Sequence, residues 1–190
     1  MELKIYLFRH GQTYHNRDAI FSGWLDTGLT KTGIENAKIV ALRLKNKKID
    51  IAFQSRLKRS KQTLKEVLKY HPKCKIITDD RIIERKYGNL QGKKHYDFVK
   101  NNSPELYDQY HRTYDFSPPK GESMKMVEKR VLSFIKYLID YMKKNKVNVA
   151  ISAHGNSMRP FRRYFEKWTI KHMMEMEMPY DNVFEYTMKV

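Results

Sequence analysis

One cysteine, Cys74, is all the sequence holds. That excludes an internal disulfide and a cysteine-built zinc site, and it points to a reducing, cytoplasmic setting. No apolar run approaches the roughly 18 residues of a membrane span. Residues 1–9 lack the apolar core and small-residue cleavage site of a signal peptide, so no membrane association is expected. No dense Asp/Glu/His cluster has metal-ligand spacing, and no metal is expected. Internal repeats and low-complexity linkers are missing too. Acidic residues are scarce: 21 Asp and Glu face 38 Lys and Arg, leaving a formal charge of +17.

That excess concentrates polyanions or small phosphorylated metabolites near the surface. It is spread over Lys45, Lys47 and Lys48, residues 56–65, Lys93 and Lys94, and residues 143–146 and 159–167. Most of these positions read as solvated helix faces. No nucleic-acid motif accompanies them, so a small anion is the expected partner and nucleic acid is not. The length suits one domain over 1–190, with an insertion at about 80–120.

The apolar run Ile5 to Phe8 stops at Arg9-His10-Gly11, which reads as a buried strand and a tight turn. Residues 11–29 carry three glycines and no period, as a functional loop would. Gly28 to Gly33 has the glycines of a phosphate-binding loop, but Ile34 stands where its lysine must be. Thr30 instead opens a helix with Ile34, Ala37, Val40, Ala41 and Leu44 on its apolar face. A second strand, Ile49 to Phe53, precedes a helix bearing Leu64, Val67 and Leu68, and Ile76-Ile77 marks a third. The insertion holds short aromatic-rich helical segments and closes at Pro118-Pro119. A long helix runs from Glu122 to about Lys144, and Val147 to Ile151 form a fourth strand. Phe184, Tyr186, Met188 and Val190 alternate as a final, antiparallel edge strand. The alternation predicts an α/β fold with a largely parallel sheet. Trp168 and the Met-rich stretch 173–178 suit either core or interface, which leaves a homodimer open.

In a parallel sheet the ends of strands one, two and four open on one side. Those ends carry Arg9-His10, Arg59 and His154. Each alone would pass as an ordinary polar strand end; together they suit phosphoryl transfer. Imidazole is a good nucleophile toward phosphorus, and guanidinium forks match phosphate oxygens. Glu84 is the candidate proton donor to the leaving oxygen.

Leu7 to Thr13, Ser55 to Thr63, Glu84 and Ala153-His154-Gly155 resemble the motifs of the histidine phosphatase superfamily, nearly end to end. The resemblance implies a three-layer α/β/α fold with a mostly parallel six-stranded sheet. It implies His10 as the phosphorylated nucleophile, Arg9, Arg59 and His154 as phosphoryl ligands, and Glu84 as acid/base. Within the superfamily, Asn16, residues 21–26, 84–92 and 154–159 look most like the 2,3-bisphosphoglycerate-dependent phosphoglycerate mutases. By that likeness Asn16, Ser22, Gly23, Arg85, Tyr87, Gly155 and Asn156 hold the substrate's carboxylate or phosphates, and 2,3-bisphosphoglycerate primes the enzyme. The family's substrate lysine falls on His95, with Lys94 as stand-in, and its paired arginines fall on His111 and Arg112.

The sequence ends at Val190, just after the last strand, without the tail that typically covers mutase sites. That favours hydrolysis of the phosphohistidine. The expectation is a mutase interconverting 3- and 2-phosphoglycerate in glycolysis and gluconeogenesis, with phosphatase leakage. The alternative is a cofactor-independent, broad phosphomonoesterase. A third class, a basic nucleic-acid binder on a silent scaffold, would show affinity falling steeply with salt. It is set aside because every chemical residue of the site is present.

Overall fold

Two of the apolar runs pair directly. In the computed structural model, which describes residues 1–189, β1 (Glu2–Arg9) lies parallel to β4 (Val149–Ala153), with Ile5 opposite Val149 and Arg9 opposite Ala153. On its far side β4 pairs with β2 (Ile51–Gln54), which pairs with β3 (Lys75–Thr78), all parallel. β5 (Val183–Lys189) closes the other edge antiparallel to β1, giving the order β3-β2-β4-β1-β5. Every residue of β4 is buried, as its central place requires.

Helices cover both faces. On one face α2 (Lys31–Leu44) and α3 (Lys58–Val67) pack Val40, Ala41, Leu44, Leu64 and Val67 against Tyr6, Phe8, Ala52 and Ala150. On the other, α6 (Met124–Asn145) and α7 (Gly155–Glu166) bury Val131, Phe134, Leu138 and Phe161 against Ile5, Leu7, Phe53 and Ile151. Strand residues alternate between the two clusters because successive side chains point to opposite faces. Thr30 caps α2 by accepting from the Gly33 amide, and Ser123 caps α6 by accepting from Met126. α6 ends at Lys146 in the left-handed conformation.

The smaller helices are α1 (Tyr14–Arg17), α4 (His95–Asn101), α5 (Pro104–Arg112) and α8 (Ile170–Glu175). α4 and α5 lie in the 80–120 stretch, where Phe21, Tyr87, Leu90 and Phe98 form a separate apolar cluster. Among the described residues no helix is long and apolar enough to cross a membrane.

Several expectations need correction. The described residues form five strands, the number the apolar runs indicate, and not the six implied by resemblance. Beyond the sheet, strand-like pairing shrinks to the isolated bridges Thr13–Leu29 and Ile20–Lys94. Ile34 is an exposed residue of α2, and Gly33 takes its inward place. The reason is steric: a Cβ on Gly33 would come 1.9 Å from the Gln12 carbonyl oxygen, so only a bare backbone lets α2 approach the loop after β1. The strand expected at Ile49 to Phe53 runs over Ile51–Gln54, and just before it the Asp50 carboxylate accepts from the Asn148 amide. Val190, assigned to the last strand, lies outside the described residues. Trp168, Met174 and Met176 pack partly buried against the larger core, Met178 lies within it, and Met173 is buried.

Candidate active site

The carboxyl ends of β1, β2 and β4 open on one side of the sheet, and the expected chemical groups meet there. His10 follows β1, its amide bonded to the Ala153 carbonyl at 3.1 Å, which ties it to the end of β4. Its Nδ1 lies 2.8 Å from the Gly11 carbonyl oxygen. A carbonyl can only accept, so Nδ1 carries the proton and Nε2 keeps a lone pair for attack. The turn that makes this contact is tight: a Cβ on Gly11 would sit 2.1 Å from the Gly33 carbonyl oxygen. The Gly11 amide donates to Thr63 Oγ1 of α3 at 3.0 Å.

His154, at the end of β4, faces His10 with ring centroids 5.0 Å apart. Its Nε2 is 2.7 Å from Ser55 Oγ, while Nδ1 is buried with no partner. One donor atom each of His10, His154 and Glu84 lies within 4.8 Å of the others, and all three residues are buried. Such a set could ligate a cation. Sequence spacing gave no sign of it, since the three positions are far apart in the chain. The guanidinium groups of Arg9 and Arg59 act on both imidazoles, which makes the pocket one for anions.

Burial first, then the charges of Arg59 and Arg9, hold His10 well below the ordinary imidazole value. Burial does the same to His154, followed by the charges of Arg59 and His10. Both rings are therefore neutral at pH 7, the state a nitrogen nucleophile needs. Arg59 is fixed by donating to the Leu25 and Gly23 carbonyls at 3.0 and 2.7 Å. Arg9 donates to the Met178 carbonyl at 2.7 Å, leaving a buried Nε unpartnered. A Cβ on Gly155 would stand 3.4 Å from that guanidinium.

Glu84 Oε1 accepts from the amides of Arg85 and Asn156 at 2.7 and 3.1 Å. Among the described residues Oε2 has no hydrogen bond, so it is the oxygen left to exchange a proton. Arg130 of α6 holds the Glu84 backbone in place, donating to the carbonyls of Arg81, Ile83 and Glu84 and pairing with the Glu122 carboxylate. Arg130 carried no sequence signal, because it reaches Glu84 through a backbone oxygen some 46 positions away.

The remaining candidates divide into two groups. Asn156 Nδ2 reaches the Tyr87 hydroxyl at 3.4 Å. Arg85, buried beside the Tyr87 ring, donates to the Glu122 and Phe116 carbonyls and keeps Nη1 unpartnered. Gly155 and Asn156 line a cleft of about 500 Å³ with Arg9 and Glu84. It shares His111, Asn156, Arg159 and Glu177 with an outer cleft of about 550 Å³, on whose wall Arg112 lies. In the loop after β1, Asn16 Oδ1 caps α1 by accepting from Thr13, and Ser22 Oγ is buried without a partner. Gly23 serves through its carbonyl on Arg59.

Lys94 does not join them. It is exposed at the N-terminus of α4 and lines a different cleft with Ile20, Asp97 and Asn101. The helix turn that follows points His95 inward instead, 4.0 Å from the Phe21 ring and 3.2 Å from the Tyr107 hydroxyl. His111 stacks on Tyr107 in the same group, and burial with the nearby charges of His95, Arg85 and Arg112 pushes it down to about 4. Several cleft residues stand outside the expected set. Arg159, in the run 154–159 though given no role, is pinned by the Met173 and Met174 carbonyls, each at 2.7 Å. Tyr180 had no motif around it.

Known proteins resemble this chain over most of its length. The family model described as the histidine phosphatase superfamily, branch 1, matches residues 5–189. A phosphoglycerate mutase of Schizosaccharomyces pombe is 39% identical over 158 residues, covering 80% of this chain and 74% of that protein. A 2,3-bisphosphoglycerate-dependent phosphoglycerate mutase of Parvibaculum lavamentivorans is 36% identical over 166 residues, covering 85% and 79%. Among solved structures, a mycobacterial glucosyl-3-phosphoglycerate phosphatase superposes with a TM-score of 0.84 at 21% identity, covering 98% of this chain and 91% of that one.

Proposed function

The chain belongs to branch 1 of the histidine phosphatase superfamily, and from that premise we propose that it is a 2,3-bisphosphoglycerate-dependent phosphoglycerate mutase. One observation carries the chemistry: the buried His10, its proton fixed on Nδ1 by Gly11, faces His154 and Glu84 between two arginines. In the first half-reaction Nε2 forms a bond to phosphorus as the ester P–O bond breaks. Arg9, Arg59 and His154 hold the equatorial oxygens, and Glu84 gives its proton to the leaving oxygen. In the second, a hydroxyl of phosphoglycerate attacks the phosphohistidine, the N–P bond breaks, and Glu84 takes the hydroxyl proton. 2,3-Bisphosphoglycerate supplies the first phosphoryl group, and no metal takes part.

Asn16, Ser22, Gly23, Arg85, Tyr87, Gly155 and Asn156 hold the small, anionic substrate in this reading, with Arg112 at the outer wall. The likeness to relatives named as mutases at 36% and 39% identity supports it. A second reading, phosphomonoester hydrolysis, is favoured by Lys94 lying outside the cleft and by a neutral His111 within it. Conversion of 3- to 2-phosphoglycerate, assayed with and without 2,3-bisphosphoglycerate beside release of inorganic phosphate, separates the two. Phosphate release from varied monoesters with no interconversion would refute the mutase reading.

A further inference from the structure

Between α8 and β5 the chain crosses the mouth of the site at Glu177-Met178-Pro179-Tyr180, and all four residues line the inner cleft. The crossing is anchored at both faces. Met178 is buried in the larger core, and its sulfur accepts from Arg162 Nη1 at 3.6 Å. Its carbonyl takes the 2.7 Å bond from Arg9. Pro179 fixes φ at the next position, which sets the Tyr180 ring over the Arg9 guanidinium, 4.1 Å from centroid to Cζ. Such a contact holds the ring in position. The ring centroid is also 6.4 Å from that of His10.

The groups around His10 are unequal. Arg9, Arg59, His154 and Glu84 each bring charge or a hydrogen-bonding atom to the phosphoryl position. Tyr180 brings apolar surface, and among the described residues its hydroxyl makes no hydrogen bond. Half-buried like Arg9, it lines the cleft with its ring near His10. An apolar ring there reduces the room for water beside the phosphorylated nitrogen and leaves the charges that bind an anionic acceptor untouched.

We propose that Tyr180 is a specificity-determining residue, an apolar shield that steers the phosphoryl group of His10 toward a bound hydroxyl acceptor and away from water. This rests on His10 carrying the phosphoryl group, as argued above. In the competing outcome water attacks phosphorus, the N–P bond breaks, the water's proton passes to Glu84, and inorganic phosphate leaves. The shield acts on the ratio of the two outcomes and not on formation of the phosphohistidine.

The test is the lifetime of the phosphorylated protein. The full chain is labelled from radioactive 2,3-bisphosphoglycerate, freed of excess reagent, and followed in buffer alone and with 3-phosphoglycerate. Tyr180→Ala is expected to shorten the lifetime in buffer by about tenfold, with a smaller change in the rate of transfer to 3-phosphoglycerate. Tyr180→Leu removes the ring yet keeps apolar bulk, and it should behave like the unaltered protein. An unchanged lifetime in Tyr180→Ala overturns the shield. So does a Leu variant that hydrolyses as fast as the Ala variant, because Tyr180 would then act by positioning Arg9. Absence of label on the unaltered protein strikes the His10 reading itself, a failure distinct from either.

Discussion

Lowering the pH from 7 to 5 should destabilise this protein through the two histidines that face each other in the site. His10 and His154 are buried beside arginines and hold their neutral forms well below the ordinary value of 6.5. Above pH 6.5 folded and unfolded chains bind the same number of protons at these positions, and nothing is lost. Below it the unfolded chain takes up protons that the folded site refuses, so stability falls with pH until the depressed folded-state values are reached. Each histidine then costs about 1.4 kcal/mol per pH unit. That slope holds for each histidine only down to its own depressed folded-state value, so about 2 kcal/mol is the most either contributes by pH 5. With urea slopes of roughly 1–3 kcal/mol/M, a loss of that size lowers the midpoint by about 1 M. His111, pushed down to about 4, contributes in the same direction. The assay is urea unfolding at pH 7 and pH 5 of the unaltered protein and of the double variant His10→Asn, His154→Asn. The difference between the two proteins isolates the pair from His111 and the carboxylates. Parallel losses of stability in both would refute the burial argument.

Other outcomes follow from single contacts. Gly33→Ala places a Cβ 1.9 Å from the Gln12 carbonyl oxygen, and a loss of about 3 kcal/mol is expected in thermal unfolding. Glu84→Gln should slow turnover of phosphoglycerate by about 100-fold or more, with a far smaller effect on p-nitrophenyl phosphate, whose leaving group needs no proton. Arg159→Ala should raise KM for phosphoglycerate while Lys94→Ala leaves it unchanged, because only Arg159 lines the cleft; equal effects in steady-state kinetics would contradict the placement.

Strand positions were legible because Ile5 to Phe8 and Val149 to Ile151 are runs that only a covered sheet can bury, and the parallel order then sent Arg9, His10 and His154 to one side. Position along a helix was less so. Periodicity counts Ile34 as inward, but the close approach of Gly33 to Gln12 decides the face of α2. The start of α4 separates Lys94 and His95 in the same way, since a difference of one residue turns a side chain from the aromatic cluster around Phe21 to solvent. Arg130 and Tyr180 stayed hidden for another reason: each works on a backbone or a ring brought near by the fold, and neither sits in a pattern of neighbours. The motif residues were readable because their chemistry is specific to type. The residues that orient them are not.

All of the functional reading turns on a phosphoryl group carried by His10. Incubation with 2,3-bisphosphoglycerate, followed by quenching and mass spectrometry under alkaline conditions, measures that directly. The expected result is acid-labile, base-stable phosphate on His10, lost in His10→Asn. Phosphate on another residue, or turnover proceeding at full rate in His10→Asn, would contradict it.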